Sequence, residues 1–241
     1  AAKSTKNPSK DNSLRNNPKT QQLISYKSTA IACYLGNFTQ SIIINLTPIL
    51  FIPLKELYNL SYTQLGSLVL VNFLTQIFVD LVLSGAADKY GFRPFTLLGQ
   101  GLAIIGLLLF SLTPILFNNR IYFGLVFSTI VFSGGGGLME MLLSPIVDSI
   151  PTEVKSTAMS VLHSFYAWGQ LSVIVFTTLF LFILGKEQWP FIVAGWLVIP
   201  VVNFGLFVKA PLADPKHEQD RMKVIDYLKT PFFIVAVFAI L

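Results

Sequence analysis

The strongest constraint in this chain is an apolar run that empties into a tight polar turn and begins again at once. From residue 71 the sequence reads VNFLTQIFVDLVLSGAA, then DKYGFRP, then further apolar residues. Crossing the hydrocarbon layer takes roughly 20 predominantly apolar residues in a helix. The first limb is too long and too uniformly apolar for a helix surrounded by water, so the two limbs and their turn predict a membrane-crossing hairpin. Asn72, Gln76, Asp80 and Ser84 recur every fourth residue and therefore stack on one helical face. That face is wet or protein-facing, and the rest of the helix meets lipid. Gly91 permits a sharp reversal of the backbone. Asp88 ends the first limb, where its charge meets a neighbouring helix terminus or a cation.

The hairpin belongs to a series of six apolar spans, at 28–54, 64–87, 95–117, 121–150, 157–184 and 189–208. Of the 241 residues, 12% are charged, about half the ~25% of a soluble domain. Those charges collect in the polar segments between spans. The expected fold class is an all-α membrane protein, a six-transmembrane-helix bundle over 28–208. A tail at 1–27, rich in Asn, Lys and Ser, has the composition of a disordered segment. A charged linker follows at 209–230, and residues 231–241 open a seventh helix that the end of the chain leaves truncated. Ala at position 1 and the stop within PFFIVAVFAIL predict a fragment. The polar residues before the first span do not form a cleavable signal.

Lys and Arg divide unequally between the two sides of such a bundle. The tail, the Asp88 turn, Lys155 and the linker carry fourteen, whereas the alternate segments carry three, Lys55, Arg120 and Lys186. The positive-inside rule then places the N-terminus and the linker in the cytoplasm of a multi-pass protein of the cell membrane. The same asymmetry accounts for the pI near 9.3 without a nucleic-acid partner, since the basic residues form no aromatic-interleaved patch. Cys33 is the single cysteine, so there is no disulfide framework. The two histidines, His163 and His217, fall in a span and in the linker, a poor basis for a metal site or an embedded enzyme. No metal, no cofactor and no enzymatic activity are expected.

Polar residues inside the spans are the candidates for function. The first span carries Asn37, Gln40, Ser41 and Asn45 on one face, which serves either hydrogen bonding between helices or recognition of a hydroxyl-rich substrate. The fourth contains FSGGGGLMEMLLSPIVDSIP. Gly134 to Gly137 allow either a close helix approach or a bend, and Glu140, Ser144 and Asp148 follow at four-residue spacing. No Lys-Ser or Lys-Thr pair follows these glycines, which argues against a phosphate loop. The fifth span places His163 and Gln170 on one face with Tyr166 beside them. Counted from the nearest turn at about 1.5 Å per residue, Glu140 lies roughly 16 Å deep and His163 and Asp80 roughly 12 Å. A charge at mid-membrane costs about 2.5–3.5 kcal/mol, so three ionisable groups in one layer imply use. Desolvation favours a neutral carboxyl, as a proton carrier near neutral pH requires. Glu140, Asp80 and His163 are the candidate proton-coupling residues, with a structural Glu140–His163 ion pair as the alternative. Asp148, near the inner surface, reads as a gate or a cap.

Taken together, these motifs resemble the N-terminal half of a major facilitator superfamily transporter, over nearly all of residues 26–241. The family's loop between its second and third helices runs glycine, aspartate four residues on, a basic residue, a second glycine and more basic residues. Asp88, Lys89, Gly91 and Arg93 match it, with Ser84 at the first glycine and Phe92 at one arginine. The Glu140 span and LHSFYAWGQ are similar to bacterial sugar permeases of the fucose permease type, although Asn37 stands where that permease has an acidic residue. The single Gly169 and absence of proline in the fifth span depart from proton-coupled drug antiporters. The resemblance implies secondary active transport of a sugar or similar small polar solute by alternating access, proton-coupled, with substrate between two bundles near the midplane. It implies substrate contacts at Asn37, Gln40, Ser41, Asn45, Tyr166 and Gln170, and gating by Asp88, Gly91, Arg93 and Asp148. The partners it implies are a small-molecule substrate, the lipid bilayer and the C-terminal half of the same transporter, in a protein that is monomeric when complete. Export of an amphipathic compound, past Phe165, Tyr166 and Trp168, and a non-transporting receptor or scaffold are the other readings.

Overall fold

The computed structural model describes residues 18–150 and 155–212, with side chains from residue 26 onward except that of Asp88. The expected linker from 213, the seventh helix and His217 lie outside the described residues. Eight α-helices follow in order: α1 (Pro18–Ile49), α2 (Phe51–Tyr58), α3 (Tyr62–Tyr90), α4 (Phe92–Leu116), α5 (Ile121–Ser149), α6 (Lys155–Leu184), α7 (Trp189–Trp196) and α8 (Val198–Lys209). A 3-10 turn, Lys186–Gln188, precedes α7. There is no strand among the described residues.

Among the described residues, five stretches are long and apolar enough to cross a membrane: Tyr62–Ala87, Phe92–Leu116, Ile121–Ser149, Lys155–Leu184 and Lys186–Lys209. The sixth is the pair Tyr26–Ile49 and Phe51–Tyr58, bent by 44°. Pro48 accounts for the bend. It lacks the N–H that would continue the ladder, and its ring crowds the carbonyl one turn back. Two expectations for this span are corrected. The helix starts at Pro18, inside the stretch read as a disordered tail, because nothing between Pro18 and the apolar span breaks the helix. The span also runs past Leu54, through α2 to Tyr58, where Asn59 ends it in the left-handed conformation.

Local signals fix the other boundaries. Ser61 and Gln64 form a reciprocal capping box that starts α3. Gly91, at φ 84°, separates α3 from α4 in a conformation that side chains rarely adopt.

Glycines set how closely the helices approach. The α4–α5 pair is the most extensive in the bundle. There Gly99 and Gly135 meet backbone to backbone, and Gly106 lies against the backbone of Phe132. Gly136 receives Gln40 and Ile43 of α1, and Gly137 receives the backbone of Gln76 on α3. The four-glycine run thus serves close approach on three sides, within one continuous helix.

Two apolar clusters result, one toward each end of the bundle. Leu50, Leu54, Phe110, Phe132 and Trp189 belong to the first, with Phe110 and Trp189 edge to face at 5.6 Å. Cys33, Phe92, Leu142, Ile146 and Phe207 belong to the second. On α1, α3 and α5 the residues between these clusters are polar: Gln40, Asn72, Gln76 and Ser133, all buried. Each end also carries an ion pair. Glu56 and Lys186 pair at 2.7 Å at one end, and Asp148 and Lys155 pair at 3.3 Å at the other.

Candidate functional site

The polar layer is a continuous hydrogen-bonded chain. Asn72 on α3 donates to the Ile43 carbonyl of α1 at 2.9 Å. Its own carbonyl oxygen accepts from Gln76 and from Ser133 of α5, the latter at 2.8 Å. The Gln76 oxygen accepts from Gln40 Nε2 at 2.8 Å, and the same nitrogen donates to Glu140 Oε2 at 3.1 Å. Both hydrogens of the Gln40 amide are therefore spent, one on a buried scaffold and one on the carboxylate. Buried polar groups are costly unless paired, so this chain fixes the rotation of three helices about their axes.

Glu140 is where the chain reaches a cavity. Asn37, Gln40, Ile44, Glu140, Leu143, Ser144, His163 and Tyr166 enclose about 240 Å³. The periodicity of α1 brings Asn37, Gln40 and Ile44 to one wall. Asn37 is held by a 2.8 Å bond to the Leu162 carbonyl of α6, and α1 lies close to α6 because Gly169 packs against Ser41. Glu140 of α5 and His163 of α6 complete the lining and are exposed on the bundle, at depths where its outer surface is otherwise apolar. The cavity thus offers amide groups, a phenol, a hydroxyl, an imidazole and one carboxyl group. Among the described residues no three His, Cys, Asp or Glu side chains are grouped to hold a metal.

Other expected site residues sit elsewhere. Ser41 is buried, donates to the Phe38 carbonyl at 2.6 Å and does not line the cavity. Asn45 donates to the Ser41 carbonyl at 2.8 Å and does not line the cavity. Gln170 is exposed and outside the lining. Asp80 lies near enough to Glu140 to interact electrostatically, but its Oδ1 is buried without a hydrogen-bond partner and it does not line the cavity. The ion pairs of the described residues do not include Glu140 with His163; the carboxylate turns to Gln40 instead. Ile44 and Leu143 also line the cavity but carry no polar signal in the sequence, although Ile44 follows Gln40 by one turn.

At the Arg93 turn, the guanidinium donates to the carbonyls of Val208 and Ala210, at 3.2 and 2.6 Å. These are end carbonyls of α8, which have no partner within their own helix. Arg93 is thus engaged inside this bundle. Asp148 accepts from Lys155, which also donates to the Asp148 carbonyl at 2.6 Å, tying the start of α6 to the end of α5.

A sequence profile described as the Major Facilitator Superfamily matches residues 30–241. The chain belongs to the major facilitator superfamily. Among solved structures, this superfamily member is similar to a D-xylose–proton symporter, with TM-score 0.65 and 19% identity over 90% of this chain and 52% of that one. It is also similar to the inward-open xylose transporter XylE from E. coli, with TM-score 0.62 and 18% identity over 91% of this chain and 55% of that one. At these identities the likeness shows the fold alone, and the chain spans about half the length of either structure. A search of curated proteins found no significant match.

Proposed function

We propose that the protein is a secondary active transporter that moves a sugar or similar small polar solute by alternating access, coupled to protons, and that it is not an enzyme. The observation that carries this reading is the mid-depth cavity in which Glu140 is joined to the amide chain through Gln40. A polyhydroxyl solute is matched by alternating donors and acceptors, and Asn37, Gln40, Ser144 and Tyr166 supply them. Glu140 is the proton carrier, with His163 lining the same cavity and Asp80 outside the lining. The similarity of LHSFYAWGQ and the Glu140 span to sugar permeases of the fucose permease type supports the cargo, as does the proton symport of xylose named for one structural neighbour.

The solute binds between this bundle and a second one. The complete protein is a monomer of the cell membrane with its N-terminus and the Arg93 turn in the cytoplasm. Asp88, Gly91, Arg93 and Asp148 work there as parts of the gate. Of the aromatic side chains considered for an amphipathic cargo, only Tyr166 lines the cavity. Phe165 stacks on Tyr34 at 5.2 Å and Trp168 is exposed elsewhere, which favours the polar solute.

The test uses the complete protein in proteoliposomes with labelled pentoses and hexoses, D-xylose among them. Glu140→Gln, a mimic of the protonated carboxyl, is expected to keep solute exchange and lose accumulation driven by a proton gradient. Full gradient-driven accumulation by this variant removes Glu140 from the coupling. Loss of exchange and accumulation together, in protein that still folds, makes its role structural.

A further inference from the structure

The polar cavity leaves a second concavity unexplained, near the Lys186 end of the bundle between α6 and α7. Phe176, Phe180 and Leu184 form one wall at four-residue spacing, and Phe191, Ile192 and Trp196 form the other. The volume is about 340 Å³. Its floor is Gly195, where an added side chain would meet nothing within 4 Å. The groove is preformed. Trp196 is pinned by a 2.9 Å bond from its indole N–H to Thr177, and its ring packs 6.4 Å from that of Phe38.

The position of the groove around α6 identifies its surroundings. The seam of α6 that is buried at Leu162, Gly169, Val173 and Thr177 continues to Phe180 and Leu184, but those two are exposed. The exposed polar stripe of the same helix, Ser156, Ser160, His163 and Gln170, is turned roughly 120° from the groove by the helical repeat. Ser160 is satisfied within its own helix by the Ser156 carbonyl, but water or protein must face His163 and Gln170, because lipid cannot satisfy them. On the groove's side the exposed surface of α7 and α8 is apolar: Phe191, Val198, Val201 and Val202. Asn203 is the one amide from Phe191 to Val208, and it is fully buried. This flank therefore lies against hydrocarbon.

We infer that the groove binds one acyl chain of a phospholipid from the leaflet at the Lys186 end. From Leu184 inward to Phe176 the groove runs about 12 Å at 1.5 Å per residue. That approaches the ~15 Å that half of a 30 Å hydrocarbon layer allows a chain. Its mouth opens beside the Lys186–Gln188 turn, where interfacial headgroups lie. A chain seated here spans the junction of α6 with α7 and holds the two helices together.

The complete protein, reconstituted with a phosphatidylcholine carrying a photoreactive diazirine on its acyl chain, tests this. After irradiation, adducts mapped by mass spectrometry should be several-fold denser on Phe176, Phe180, Phe191 and Trp196 than on Val201 and Val202, the reference surface. Gly195→Leu, which fills the floor, should reduce the groove adducts to the reference level and leave the reference unchanged. Phe180→Trp, which fills the groove from the opposite wall, should do the same if Gly195→Leu does not fold. Equal labelling of groove and reference overturns the proposal in favour of ordinary lipid contact. Absence of groove labelling overturns it in favour of cover by protein. Groove labelling that persists in the filled variants also overturns it.

Discussion

Among four consecutive glycines, the structure predicts opposite outcomes for neighbours. A Cβ added at Gly135 would collide with the Gly99 carbonyl oxygen and lie 2.7 Å from the Ala103 nitrogen, both backbone atoms of α4. At Gly134 the nearest atom would be the end of Leu102, at an ordinary 3.7 Å. Contact between heavy atoms is comfortable near 3.5–4.0 Å, so Gly135→Ala must part α4 and α5 by about 1 Å. No rotamer change relieves it, because the obstacle is backbone. Overpacking of this kind costs about 1–3 kcal/mol. Gly134→Ala carries no such penalty and gains up to about 1 kcal/mol of helix propensity. With roughly 2–4 °C per kcal/mol for a domain of this size, Gly135→Ala should melt several degrees below the parent and Gly134→Ala at or slightly above it. The assay is thermal unfolding of purified protein in one detergent, followed by loss of the monodisperse peak. Equal melting points for the two variants, or Gly134→Ala as the weaker, would refute the assignment of close approach to Gly135.

Gln40→Leu should strand the Gln76 oxygen, at about 1–3 kcal/mol, whereas the double variant Gln40→Leu, Gln76→Leu should recover part of the loss; a thermal double-mutant cycle measures the coupling. Arg93→Ala should free the Val208 and Ala210 carbonyls and speed amide exchange in the last turn of α8, with Arg93→Lys intermediate because it keeps one donor but not the fork; mass-spectrometric hydrogen exchange reads this. In a Cys33→Ser background, Lys186→Cys should react with an impermeant maleimide applied to whole cells and Lys155→Cys only after permeabilisation. The reverse pattern inverts the proposed topology.

Much of this molecule was legible before any fold was known. A helix that crosses hydrocarbon must satisfy its backbone internally and present apolar side chains, so the spans, their number and the Gly91 reversal are local properties. Local periodicity also placed Gln40 with Asn37 and Gln76 with Asn72, since positions three and four apart share a face in any α-helix. It could not say what each face meets. Rotation and register between helices depend on contacts remote in the chain, above all Gly135 on Gly99, Gly137 on Gln76 and Gly169 on Ser41. Those contacts turn Ser41 to the Phe38 carbonyl, leave Asn45 and Gln170 outside the cavity lining and bring Glu140 to Gln40 instead of His163. The groove over Gly195 is likewise tertiary, because an apolar residue has the same sequence signature whether it faces lipid, a neighbouring helix or a cleft between two helices. Chemical type is local, whereas the partner of a side chain is decided by how closely two backbones are allowed to come.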